Sequence, residues 1–309
     1  MSRHAKAAAS PATWKPRNRG LTLPLLPMET RPPTTSVIRF AQRESGSFEA
    51  ERRVPEEVPI ALSYAGTTHA VMMASPADLR DFALGFSLTE GIIASPAEID
   101  TIEVEEAGAG IDIQIRLKDS ANTRFQARRR RLAGPVGCGL CGIESIDEAM
   151  RSIPAVEARM TLSPQQIADA VAALSRRQPL HRETGAVHAA GLYSPANGVV
   201  CAREDVGRHN ALDKLAGALA GVEIAGATGA VIVTSRVSVE MVQKTAAIGA
   251  GFIIAVSAPT ALAIRAADGA GLTLVALVRG TEFDVFTHPH RVEIDKGASQ
   301  PLAKQREAT

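Results

Sequence analysis

Cysteine is scarce in this chain. Its 309 residues include three, Cys138, Cys141 and Cys201, and so odd and sparse a count excludes a disulfide framework. An excess of charge of one sign is also missing. The 34 basic and 33 acidic residues leave a net charge of +1, so bulk charge calls for neither nucleic acid nor a membrane surface. No apolar run approaches the roughly eighteen residues of a membrane-spanning helix. There is no Gly-x-Gly-x-x-Gly after a strand, no Walker loop and no Gly-x-Ser-x-Gly elbow. A nucleotide, if bound, is held by neither of the common phosphate loops. What is present is an ordinary globular composition, 45% apolar and 22% charged, with length enough for two domains.

The first 33 residues stand apart. They carry Arg3, Lys6, Lys15, Arg17, Arg19 and Arg31 against one acid, Glu29, with six prolines. Such a segment cannot bury enough apolar surface to order itself. It reads as a disordered extension or as sequence upstream of a start at Met28; a transit peptide is the other reading of a basic, acid-poor leader.

From residue 34 the pattern is strand-rich, with strands expected at 35–40, 58–63, 68–74 and 111–117. The last, Ile-Asp-Ile-Gln-Ile-Arg-Leu, alternates apolar and polar strictly, so one face is buried and the other wet. Ser75-Pro76-Ala77-Asp78 is expected to open a helix capped by Ser75, striped by Leu79, Phe82, Ala83 and Phe86 and ended by Gly91. Ser95-Pro96-Ala97-Glu98 has capping-box spacing for a second, short helix. Residues 128–145 read as a loop, four arginines running into a glycine-dense stretch. A helix follows at 163–178, and from 186 strands at 187–193, 198–203, 230–235, 252–257 and 272–278 alternate with helices near 208–221, 238–250 and 259–268. Continuous apolar runs such as Ala-Val-Ile-Val-Thr and Phe-Ile-Ile-Ala-Val belong to sheets covered on both faces. The fold class is therefore α/β: a smaller strand-rich domain over 34–145, an α/β sandwich over 146–295 with much parallel character, and a tail at 296–309.

Four motifs carry chemistry. Cys138-Gly-Leu-Cys141 lies in a glycine loop beside Arg128–Arg131, whose charge would favour the reactive thiolate. Redox exchange, half a zinc site and sulfur transfer all use such a pair. Zinc lacks its other two ligands, because Cys201 is alone and His288-x-His290 has the wrong gap. A redox pair normally opens a helix in a βαβ unit rather than sitting among glycines. The second motif is Arg203-Glu-Asp-Val-Gly-Arg208-His209-Asn210-Ala-Leu-Asp-Lys214, at a strand end where open α/β sheets bind ligands. Arg208 and His209 near a helix start suit an anion, and Asn210 is placed to cap. In the third, Thr234-Ser235-Arg236-Val-Ser238, the buried strand again ends in hydroxyls and an arginine, with Lys244 two turns on. The fourth, Arg279-Gly280-Thr281-Glu282-Phe283-Asp284, follows the last buried strand. Each of these three is also what an ordinary polar loop looks like. Thr184-Gly-Ala-Val-His188-Ala-Ala190 resembles the start of a zinc deaminase site, yet Ala190 stands where the general-acid glutamate belongs, and the Cys-x-x-Cys precedes the histidine.

Together, Gly137 to Gly142, Thr184 to Gly191, Arg203 to Lys214, Thr234-Ser-Arg236, Phe286-Thr-His288-Pro, Asp81 to Phe86 and Thr89-Glu-Gly91 resemble the formate dehydrogenase accessory sulfurtransferase (FdhD) family over residues 34–294. That resemblance implies a cytoplasmic bacterial homodimer with a cytidine-deaminase-like α/β sandwich that holds no metal of its own. It implies a sulfurtransferase that accepts persulfide sulfur from a cysteine desulfurase. The sulfur passes to the bis-molybdopterin guanine dinucleotide cofactor of formate dehydrogenase. Cys138 matches the family's persulfide cysteine, with Cys141 as second sulfur, and Arg279–Asp284 matches its cofactor-binding stretch. Arg208, His209, Arg236 and Lys244 are added as cofactor-binding candidates from their chemistry alone. A non-catalytic chaperone that only shelters the cofactor is the alternative.

Overall fold

The computed structural model describes residues 32–132, 153–157 and 160–293. The expected N-terminal extension, the division near residue 145, the tail at 296–309 and both Cys138 and Cys141 fall mainly or wholly outside those residues.

Three sheets form. β1 (Thr34–Arg43) and β2 (Gly46–Pro55) make an antiparallel ribbon. β3 (Val58–Tyr64), β4 (Thr67–Ala74), β5 (Ile99–Ala107) and β6 (Gly110–Leu117) make a four-stranded sheet in the order β4-β3-β6-β5, with β3 and β6 parallel. The alternation in β6 is borne out: Ile111, Ile113, Ile115 and Leu117 are buried. They pack with Ile60, Leu62 and Tyr64 under α1 (Leu79–Thr89) and α2 (Asp119–Leu132), whose Phe82, Phe86 and Phe125 close the core.

The six-stranded sheet comprises β7 (His188–Ser194), β8 (Gly198–Asp205), β9 (Ala230–Val233), β10 (Phe252–Ala255), β11 (Thr273–Arg279) and β12 (Glu282–Val285) in the order β12-β11-β10-β9-β7-β8. β9, β10 and β11 are parallel; β7, β8 and β12 run antiparallel to their neighbours. α3 (Pro164–Arg176) covers one face, with Ile167 and Leu174 against Ile232, Phe252 and Ile254. Short α4 (Pro179–Thr184) follows it. α5 (Arg208–Gly221), α6 (Val239–Ile248) and α7 (Ala261–Gly269) cover the other, with Leu212, Leu215, Met241 and Ala263 against Val231, Val233 and Ile253. The continuous apolar strands are thus buried on both sides, as their composition requires.

α1 lies directly on α5 because both are glycine at the crossing. A Cβ at Gly85 would stand 1.7 Å from the Asp213 carbonyl oxygen, and one at Gly217 would stand 1.9 Å from that of Asp81. The two backbones therefore touch, and the four-stranded sheet is fastened to the six-stranded one.

Several local expectations are corrected. α1 starts at Leu79, with Asp78 at positive φ and no side-chain cap. Ser75 instead accepts the Val206 amide at 3.2 Å, because the turn before α1 is drawn onto the turn after β8. Ser95–Glu98 yields a single 3-10 turn without a side-chain cap, Glu98 accepting the Ala94 amide at 2.9 Å. Arg128–Arg131 are helical, since α2 runs on to Leu132; arginine is a good helix former, and the loop signal belonged to the glycines after it. β2, β5, β12, α2 and α4 were not anticipated. α3 opens with a full capping box between Ser163 and Gln166.

Candidate functional site

The topology gathers three motifs at one sheet edge. β9, β10 and β11 are parallel, so Thr234–Ser238, Val256–Ser257 and Arg279 leave the sheet on the same side. β7 is antiparallel to β9, with Ala190 opposite Val233, which puts the start of β7 at that side too. β8 then ends there, with Asp205 opposite His188. From β8 to β11 is four strand-to-strand steps, about 19 Å. An edge of that length suits an extended ligand more than a compact one.

The turn from β8 into α5 is built around Asp205. Its carboxylate is fully buried and accepts four hydrogen bonds: Gly207 N–H at 2.7 Å, Asn210 Nδ2 at 3.1 Å, Ser75 N–H at 3.0 Å and Lys214 Nζ at 2.6 Å. Asn210 does not cap α5; its amide also donates to the Met73 carbonyl at 2.9 Å. Gly207 stands at the N-cap with no side-chain cap, and a Cβ there would meet Asn210 Nδ2 at 2.6 Å. A fully partnered buried carboxylate of this kind rigidifies a turn. What it rigidly presents is Arg208 and His209.

Those two differ. Arg208 Nε is buried without a hydrogen-bond partner among the described residues. His209 is committed: its Nε2 pairs with Glu240 Oε2 at 2.8 Å and lies 3.4 Å from Ser238 Oγ. That bond is the first cause holding the Glu240 carboxyl below its usual range. His209 thus links the starts of α5 and α6.

At the end of β9, Thr234 Oγ1 accepts the Ala189 amide at 2.9 Å and Ser235 Oγ donates to the Arg236 carbonyl at 3.0 Å. Arg236 itself is exposed. Lys244 is not at the edge's disposal. Its ammonium is buried and donates to Asp213 at 2.8 Å, Glu90 at 2.6 Å and Thr89 Oγ1 at 3.1 Å. Burial pushes Lys244 down, but the charges of Asp213 and Glu90 more than reverse that and hold it above its ordinary value. The candidate drawn from chemistry alone is therefore corrected: Lys244 joins α6 to α1 and α5, and no donor remains for a phosphate.

At β11, Arg279 Nη1 donates to the Val256 carbonyl at 2.5 Å and to the Val278 carbonyl at 2.8 Å. A register shift between Ala276 and Arg279 marks a bulge, with Leu277 at φ 59° and 38% exposed. A bulky residue at positive φ is strained, and bulges re-aim strands beside functional sites. Gly280, at φ 59°, turns the chain into β12. Thr281, Glu282 and Asp284 are exposed, whereas Phe283 packs on the core beneath α3.

Sequence reasoning missed Asp205, Asp213, Glu90 and Glu240 as organisers of the site. Asp205 and Asp213 lie inside the charged block, but nothing in spacing separates a carboxylate turned inward from one turned out. Cys201, the third cysteine, is half-buried, and burial pushes its thiol up. That is the reverse of a thiolate poised for chemistry.

Comparison with known proteins follows the same residues. The model of the FdhD/NarQ family matches residues 55–293. The "Sulfur carrier protein FdhD" of Agrobacterium fabrum is 59% identical over 257 residues, covering 83% of this chain and 95% of that protein. The protein of the same name from Cupriavidus necator is 48% identical, covering 86% and 92%. A crystal structure described as a formate dehydrogenase accessory protein from Desulfotalea psychrophila superposes with a TM-score of 0.66 at 26% identity, covering 84% of this chain and all of that one.

Proposed function

The chain belongs to the FdhD/NarQ family, and on that premise we propose that it is a sulfurtransferase serving formate dehydrogenase. It takes persulfide sulfur from a cysteine desulfurase on Cys138 and delivers it to the bis-molybdopterin guanine dinucleotide cofactor, which it binds as cargo. The sulfur-carrier name borne by relatives at 59% and 48% identity supports the reaction. The observation that carries the cargo half is Arg208, a guanidinium with a buried, unpartnered Nε on a rigid turn at the strand-end edge. A buried guanidinium N–H without an acceptor is costly, and a half-buried arginine with one such N–H fits an anionic ligand such as the cofactor's phosphates.

The sulfur chemistry balances within the Cys138–Cys141 pair. The Cys138 thiolate attacks the outer sulfur of the desulfurase persulfide; a new S–S bond forms and the desulfurase cysteine leaves as thiolate. Attack by Cys141 on Cys138 Sγ then expels the outer sulfur as hydrosulfide at the cargo. The resulting Cys138–Cys141 disulfide requires a thiol reductant before the next round. The described residues hold the cargo. Arg208, Arg236 and the hairpin Arg279, Gly280, Thr281, Glu282 and Asp284 line the edge, while Phe283, His209 and Lys244 brace it. We place this activity in the cytoplasm, in a homodimer; no helix among the described residues is long and apolar enough to cross a membrane.

Replacement of Cys138 by Ala should abolish formate dehydrogenase activity in cells while the purified variant still binds cofactor. Full activity in that variant would leave a cofactor-sheltering chaperone, which needs the edge and not the thiols.

A further inference from the structure

The four-stranded sheet has a wet face with uncommitted chemistry. In β6 the buried Ile113, Ile115 and Leu117 belong to the core under α1 and α2, so Gln114 and Arg116 between them face the other way. The register sets Thr101 of β5 opposite Arg116 and Glu103 opposite Gln114, so all four share that outer face. β3 accompanies β6 only as far as Tyr64, opposite Ile115. There Ala65 and Gly66, at φ 49° and 73°, turn the chain into β4, while β6 runs on beside β5 to Leu117 and then into α2. The notch left at the end of β3 is a cavity of about 350 Å³, lined by that turn, by the four outer-face residues and by Asn122 of α2. Its size suits a small ligand.

The polar groups around it are mostly free. Gln114 is committed, its Nε2 donating to Asp112 at 2.6 Å. The side chains of Thr101, Glu103, Arg116 and Asn122 make no hydrogen bond or ion pair with a described residue. Arg116 and Glu103 are diagonal neighbours across the two strands, about 7–8 Å apart, and they do not close on each other. A metal cation in the notch would meet the guanidinium, and a simple anion would meet the carboxylate. A ligand with both charges close together satisfies each.

We propose that this notch binds a free α-amino acid, Arg116 taking the α-carboxylate and Glu103 the α-ammonium. The planar guanidinium matches a carboxylate through two parallel N–H bonds. Thr101 and Asn122 add neutral hydrogen bonds, and the remaining volume receives the amino acid's side chain. The site lies in the four-stranded sheet and uses none of the residues of the strand-end edge, so it stands apart from the cargo reading.

The test titrates the full chain by calorimetry with the protein α-amino acids one at a time, then with the N-acetyl and methyl ester forms of the one that binds tightest. The parent should bind that amino acid saturably, and each blocked form about tenfold more weakly or worse. Arg116→Gln and Glu103→Gln should each cost about tenfold or more in affinity; both positions are exposed, and far-ultraviolet circular dichroism checks that the variants keep the fold. The losses should also sort by charge. Arg116→Gln should erase the preference for the free acid over the ester, and Glu103→Gln the preference for the free amine over its N-acetyl form. No amino acid binding to the parent, blocked forms that bind as tightly as the free one, or variants that bind like the parent would overturn the site.

Discussion

Lys214 and Arg208 stand on the same helix and meet opposite surroundings. Lys214 is fully buried between α5 and the turn before α1, bonded to Asp205 at 2.6 Å and to the Ser75 carbonyl at 3.0 Å. Arg208, at the helix start, has a buried Nε with no acceptor among the described residues. The seam containing Lys214, Lys244, Asp205, Asp213 and Glu90 pairs its charges internally; at the strand-end edge His209 has Glu240, but Arg208 has no carboxylate among the described residues. A cation that has found its carboxylate holds the fold together. One that is half-buried without a carboxylate is open to a ligand.

That contrast can be broken most forcefully at the seam. Lys214→Met leaves Asp205 buried and uncompensated, and should cost about 3–5 kcal/mol in urea unfolding. A loss below about 1 kcal/mol would show that the pair does not fix the turn. Gly217→Ala, which drives a methyl into the Asp81 carbonyl, should cost about 1–3 kcal/mol by the same measurement, with α1 and α5 forced apart. At the edge the sign changes. Arg208→Ala should leave stability within about 0.5 kcal/mol of the parent or raise it, since it removes a buried N–H that no described residue accepts; a multi-kilocalorie loss would reveal a structural partner. The smallest effect is a pH dependence. His188 is held below its ordinary value by burial and then by Arg208, so the folded protein resists a proton that the unfolded chain accepts. Its contribution is intact above the ordinary value of 6.5 and is lost as pH falls from there toward the lower folded value. Thermal unfolding of His188→Gln should be flatter across that window than the parent's.

The sequence reading recovered what burial dictates. The apolar runs at 230–235 and 252–257 became β9 and β10, covered on both faces, and the alternation at 111–117 became a one-faced strand. It also sent three motifs to strand ends, which the mixed topology brought to one edge. It failed where tertiary partners override local chemistry. Ser75 had the right type and place for a cap, but Val206 N–H claimed its hydroxyl. Lys244 looked like a phosphate ligand because it is a cation two turns beyond Arg236, while Asp213 and Glu90, distant in sequence, had already taken it. Periodicity tells which face a residue lies on; it does not tell what waits there.

The most direct test of the carrier role is intact mass after incubation with a cysteine desulfurase and cysteine, on the parent and on the single Cys138→Ala and Cys141→Ala variants. A reducible gain of one sulfur that persists in Cys141→Ala and disappears in Cys138→Ala is the expected result. No gain in the parent would contradict sulfur transfer and leave the strand-end edge as the site of a chaperone.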